Sequence, residues 1–139
     1  MTTGKYTVVF LTMLGILFSG CGGGSSTVEN SGESGGTLPA KILTWSPPSQ
    51  YTDGGSLNPM RDLDRFEIYI NEDGKFSDTD NEMAAVSATV SGTGQPATSF
   101  DLANLAPFLS KGVTYFVSIR AVALTGLKSN FAPAASFSF

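Results

Sequence analysis

Any chemistry this chain performs must rest on carboxylates. It has no histidine and a single cysteine, Cys21, which removes Ser-His and Cys-His nucleophile pairs, the usual general base and imidazole metal ligands. Two carboxylate pairs, Asp62 with Asp64 and Asp78 with Asp80, stand two residues apart, a spacing that puts both side chains on one face of a strand. A glycosidase pair needs its carboxyls ~5–9.5 Å apart across a concave site. The segment Asn71 to Glu82 (NEDGKFSDTDNE) alternates oxygen ligands at Asp78, Asp80 and Glu82, but without the glycine and the frame of a twelve-residue calcium loop. It reads as a solvated acidic loop between strands, and no cofactor or metal is expected.

The elements that would have to position these groups begin with an address. Lys5 precedes an apolar run from Val8 to Phe18 (VVFLTMLGILF), too short to span ~30 Å of hydrocarbon but suited to the core of a signal peptide. The run ends in Leu17-Phe18-Ser19-Gly20-Cys21, which resembles the bacterial lipobox, with Phe18 in place of the usual Leu, Val or Ile. The resemblance implies a signal peptide over residues 1–20, cleavage before Cys21 and acylation of that cysteine. The chains so added supply the two or more hydrophobic signals that stable anchoring takes, at ~0.8 kcal/mol per buried CH₂. Gly22, where an aspartate would mark inner-membrane retention, points by the same resemblance to the outer membrane of a Gram-negative cell. Gly22 to Gly36 holds six glycines and four serines in fifteen residues. That composition buries too little apolar surface to order itself, and predicts a flexible linker over 21–37 with ends roughly 22 Å apart.

From Leu38 to Phe139 short alternating stretches are separated by Pro, Gly, Asn and Asp clusters, which predicts one all-β antiparallel sandwich. Strands are expected at Ile42–Trp45, Leu63–Ile70, Ala84–Val90, Ser99–Leu102, Val113–Val122 and Ala134–Phe139. The charged fraction of 14% and the net charge of −4 suit neither a helical bundle nor a polyanion partner. Without Lys5 the balance is seven basic against twelve acidic residues, a net of −5. Nucleic acid is excluded as a partner.

Leu43-Thr44-Trp45-x-Pro47-Pro48, Phe66-x-Ile68-Tyr69, and Leu109-Ser110-Lys111-Gly112-Val113-Thr114-Tyr115-x-Val117-x-Ile119-Arg120-Ala121-Val122 together resemble a fibronectin type III domain. The likeness covers essentially all of 38–139, with Lys111 where the family often has proline and a longer segment than usual between Ile70 and Phe100. It implies an immunoglobulin-like sandwich of about seven strands in which Trp45 fills the core. Tyr115, six residues after Leu109, would be the tyrosine-corner residue whose hydroxyl bonds the backbone just upstream. It also implies non-catalytic work as a structural or protein-interaction module. Carbohydrate binding is the alternative and a carboxylate-dependent hydrolase the second.

Alternation also predicts a binding face. With Phe66, Ile68 and Ile70 inward, Tyr69 points outward, and the strand of Tyr115 turns Phe116 outward likewise. The expectation is an exposed aromatic pair, Tyr69 and Phe116, flanked by Arg65, Glu67 and Arg120, offered to a protein or glycan partner.

Overall fold

The computed structural model describes Ile16–Leu17 and residues 40–139. Among these residues seven strands form two antiparallel sheets. β1 (Ile16–Leu17), β2 (Ile42–Thr44) and β5 (Ser99–Asp101) make one, in the order β1-β2-β5. β3 (Leu63–Asn71), β4 (Ala84–Ser87), β6 (Thr114–Ala123) and β7 (Ala135–Ser138) make the other, in the order β4-β3-β6-β7. The all-β sandwich read from the sequence is thus the observed architecture, and each expected strand is present with ends shifted by a few residues. Cys21 and the linker 21–37 lie outside the described residues. Of residues 1–20, only Ile16 and Leu17 are described, and they pair with Leu43 and Ile42 along one side of β2.

The core follows from the strand period. Phe66 and Ile68 of β3 and Tyr115, Val117, Ile119 and Ala121 of β6 face Leu43, Trp45 and Leu102 across the sandwich, all buried. Trp45 and Phe66 hold their ring centroids 5.2 Å apart, and Tyr115 lies 5.9 Å from Phe137. Leu109 is buried beside them. Tyr115 reaches back to its own approach: its hydroxyl accepts the Ser110 N–H at 2.9 Å. This fixes the chain where it leaves the 3₁₀ segment Leu102–Phe108 and enters β6.

The connections sort to two ends of the sandwich. β2 starts from Lys41, whose carbonyl accepts the Leu102 N–H. At that same end lie the crossover 102–113 and the last residue, since the Gly112 N–H donates to the Phe139 carbonyl at 2.8 Å and Lys41 Nζ sits 5.8 Å from the Phe139 ring centre. The chain therefore enters the domain at this entry end. At the far end, residues 49–57 form a hairpin in which Tyr51 N–H donates to Gly55 O and Leu57 N–H to Ser49 O. The turn 123–127, closed by Ala123 N–H to Leu127 O, stands beside it. Between hairpin and β3 a single helical turn, α1 (Pro59–Asp62), is capped reciprocally: Asn58 Oδ1 accepts from Met60 N–H, and Asp62 Oδ2 accepts from Asn58 N–H. The Leu124 N–H then donates to the Asp62 carbonyl, which ties α1 to the turn.

Candidate functional site

The face expected to meet a partner is built on β3 and β6, whose register sets Glu67 opposite Arg120, Tyr69 opposite Ser118 and Asn71 opposite Phe116. The alternation holds, and all of these side chains leave the sheet on the side away from the main core. The exposure does not. Tyr69 is 1% accessible, Glu67 0% and Arg120 3%, while Phe116 is half-buried. The expected exposed aromatic pair is corrected to a covered polar layer, because two segments fold over the sheet.

The first cover is the stretch before β7. Its Ser129 and Ala132 N–H groups donate to the Ala121 and Ile119 carbonyls of β6, and Ser118 Oγ donates to the Ala132 carbonyl at 2.7 Å. That path lays Phe131 edge-on against Tyr69, centroids 4.9 Å apart. The second cover is the acidic segment, a loop between strands as expected, most of whose carboxylates are exposed while its one ring, Phe76, turns toward the sheet. Asn71 Oδ1 accepts from Gly74 N–H, and Asn71 Nδ2 donates to the Lys75 carbonyl. The turn needs Gly74, which has φ +71° and lies where a Cβ would come within 3.1 Å of the Phe116 ring. Beyond it Phe76 packs against Phe131 at 5.7 Å, and a cavity of about 300 Å³ remains between Tyr69, Phe76 and Thr79–Asn81.

Under these covers Glu67 gathers four donors. Tyr69 Oη donates to Oε2 at 2.6 Å, Lys128 Nζ at 2.8 Å and Arg120 Nε at 3.4 Å, while Arg65 Nη2 donates to Oε1 at 2.8 Å. Arg120 in turn donates through Nη1 to Asp78 Oδ1 at 2.5 Å, and its guanidinium lies 4.6 Å from the Phe131 ring centre and 5.1 Å from that of Tyr69. Three cations thus meet Glu67, with Asp78 and Asp64 as outer counter-charges. Burial alone would raise the Glu67 pKa, but the hydrogen bonds from Lys128, Tyr69 and Arg65 outweigh it and hold the carboxyl at about 2. Burial and the bond to Glu67 push the Tyr69 hydroxyl up to about 12. A carboxylate so fully engaged has no acceptor capacity to offer a substrate, so the cluster fastens loop to sheet.

The other carboxylates are dispersed. Asp62 caps α1, Asp64 pairs with Arg65, and Asp80 Oδ2 accepts the Ser77 N–H. Among the described residues no three His, Cys, Asp or Glu side chains converge on a point where a metal ion could sit.

A cleft that the sequence reading missed lies at the far end. Tyr51, Asp53, Gly55 and Ser56 of the hairpin and Thr125 and Leu127 of the turn enclose about 410 Å³. Both walls are short, hydrogen-bonded turns: Asp53 Oδ1 accepts the Gly55 N–H at 2.9 Å, and Gly126 donates to the Ala123 carbonyl. Leu124, 66% exposed, and Met60, 50% exposed, stand at this same end. The signal for it was Asp53-Gly54-Gly55 and Thr125-Gly126, two turn sequences. Nothing in either says that the two turns meet, since that depends on sheet order.

No family model, curated protein or solved structure matches this chain.

Proposed function

We propose that the chain is a lipid-anchored lipoprotein of the cell envelope, carrying a fibronectin type III-like module that binds a protein partner through the far-end loops. The observation that carries this reading is the opposition of the two ends. The chain enters beside Lys41 and Phe139, whereas the cleft of Tyr51 and Leu127, with exposed Leu124 and Met60, lies at the other end. A module tethered at one end presents the opposite one to whatever approaches the membrane. Tyr51 is a half-buried aromatic in a concave site beside Leu127, the residue type enriched at interface hot spots.

The family resemblance draws support from two features. The strands β2 and β5 face a four-stranded sheet in which β3 and β6 are central, and the Tyr115 hydroxyl accepts from a backbone N–H five residues upstream. The anchor rests on the lipobox resemblance at Cys21 and on the single apolar run before it. Among the described residues no helix is long and apolar enough to cross a membrane.

A glycan is the second reading, favoured by one observation: the cleft sets the Tyr51 ring among Asp53, Ser56 and Thr125, groups that can bond sugar hydroxyls. The two are separated by one design. Membranes of the native host are solubilised and the tagged protein is captured with its partners, beside a glycan array probed with the same preparation. Tyr51→Ser with Leu124→Ser should leave a cooperatively folded domain, at some cost in melting temperature since Tyr51 packs against the core, and abolish capture of a protein that wild type retains. Glycan signals lost in the double variant would favour the second reading. Full retention of every partner would refute the far-end site.

A further inference from the structure

Phe108 is the most exposed large apolar side chain among the described residues, at 71%, and its position is fixed. It ends the 3₁₀ segment whose Leu102 and Leu105 are buried in the core, and the next residue, Leu109, is buried and donates its N–H to the Ala106 carbonyl. Two buried residues before it and one behind leave Phe108 at the tip of a rigid crossover. Ser110, Lys111 and Gly112 follow, all exposed. This tip belongs to the entry end, where the Lys41 carbonyl accepts from Leu102 and Gly112 donates to Phe139.

We propose that Phe108, with Lys111 in the same crossover, rests in the headgroup layer of the membrane and orients the module on the lipid surface. The inference rests on the lipid-anchor reading of Cys21. Its occupant is argued from three things. The continuously described chain starts at residue 40 at this end, and the composition of 22–36 predicts a flexible linker whose ends lie on average roughly 22 Å apart. A tether that short gives a surface patch a millimolar effective concentration of lipid, so a contact too weak to bind free vesicles is still populated. An exposed aromatic ring followed three residues later by an exposed lysine in the same crossover has the chemistry of a membrane interface, apolar body inward and cation among phosphates. Glu72 and Asp73 close the neighbouring connection at the same end, so the ring rather than net charge must carry the contact.

The test uses the acylated protein purified from its native host and reconstituted in vesicles of phosphatidylethanolamine and phosphatidylglycerol. Acylation consumes the sole thiol, so Ser110→Cys, exposed in the same crossover and leaving Phe108 in place, and, at the far end, Leu124→Cys each introduce one labelling site for the polarity-sensitive NBD fluorophore. The label at 110 should shift to the blue and be quenched several-fold more by a headgroup nitroxide lipid than the label at 124, and adding Phe108→Ser should remove that difference. Removing the anchor with a protease that cuts the linker should abolish the difference. Equal water exposure of the two labels on vesicle-bound protein would overturn the proposal alone. If unsubstituted protein itself takes up label at Cys21, the thiol is not acylated, and the anchor reading falls together with this one.

Discussion

Glu67 offers the sharpest test of how the covered face is held. Its side chain is wholly buried yet charged, and a carboxylate in that state survives only through Lys128, Tyr69, Arg65 and Arg120. A folded pKa near 2 against an ordinary 4.5 corresponds to roughly 3 kcal/mol of stability at neutral pH. Because the folded value is the lower one, that contribution is complete above pH 4.5 and is lost as the pH falls toward 2. Glu67→Gln keeps the shape but leaves three cations facing a neutral amide. Breaking a buried pair in this way costs about 3–5 kcal/mol, a large share of the ~5–15 kcal/mol that holds a domain together. Urea denaturation at pH 7, 4.5, 3 and 2 should therefore show wild type far above the variant at pH 7 and the two curves converging near pH 2. Lys128→Ala, which removes one of the four donors, itself 37% exposed, should destabilise less than the Gln variant because Tyr69, Arg65 and Arg120 remain on the carboxylate. A Gln variant within about 1 kcal/mol of wild type at pH 7, or curves that stay parallel from pH 4.5 to 2, would refute the cluster as the fastening of this face.

Three further outcomes are expected. Tyr115→Phe removes the acceptor of the Ser110 N–H and should lower stability by about 1–2 kcal/mol in urea melts; no measurable loss would mean that the bond does not hold the crossover. Gly74→Ala forces a left-handed backbone on a residue with a Cβ and drives it into the Phe116 ring, for a loss of about 1–3 kcal/mol; a midpoint unchanged from wild type would place the turn elsewhere. The proposed cleavage before Cys21 would remove β1, so the Ile42 amide, which points to the β1 side, should exchange with solvent faster in the processed protein than in a Cys21→Ser precursor. The Leu43 amide, turned toward β5, should not change, and equal Ile42 rates in both forms would contradict the pairing of β1 with β2.

The sandwich was legible because its signals are local. Alternation in Phe66-x-Ile68 and in Tyr115-x-Val117-x-Ile119-x-Ala121 needs only the strand period to show which side is apolar, and Pro47-Pro48 and Asn71-Glu72-Asp73-Gly74 punctuate strands by known backbone limits. The Tyr115 bond to Ser110 spans five residues and was equally near at hand. The pole-to-pole arrangement was not, because it depends on which strands pair, and the cleft of Tyr51 and Leu127 joins turns more than seventy positions apart in the chain.

Why the second face was misread is a question of what alternation measures. Period two assigns a side chain to one side of a sheet; it says nothing about what lies over that side. On β3 and β6 the outward positions carry Glu67, Tyr69, Ser118 and Arg120, a polar set that ordinarily marks solvent. The cover is supplied by two rings, Phe76 and Phe131, each alone in a stretch without strand or helix pattern. A lone aromatic in a polar segment adds little to any periodic signal, yet it contributes enough apolar surface to hold that segment down. Once both rings are seated, every polar group beneath must be paired within the protein, since the cost of leaving one unsatisfied exceeds the gain from a typical hydrogen bond. Glu67 meets that demand with four donors, and Arg120 with Glu67, Tyr69 and Asp78. The charge pattern Arg65, Glu67, Arg120 and Lys128, which looked like the rim of an open binding face, is the internal solution to closing it. The accessible aromatics lie elsewhere, at Phe108 in the crossover and, half-buried, at Tyr51 in the far-end cleft.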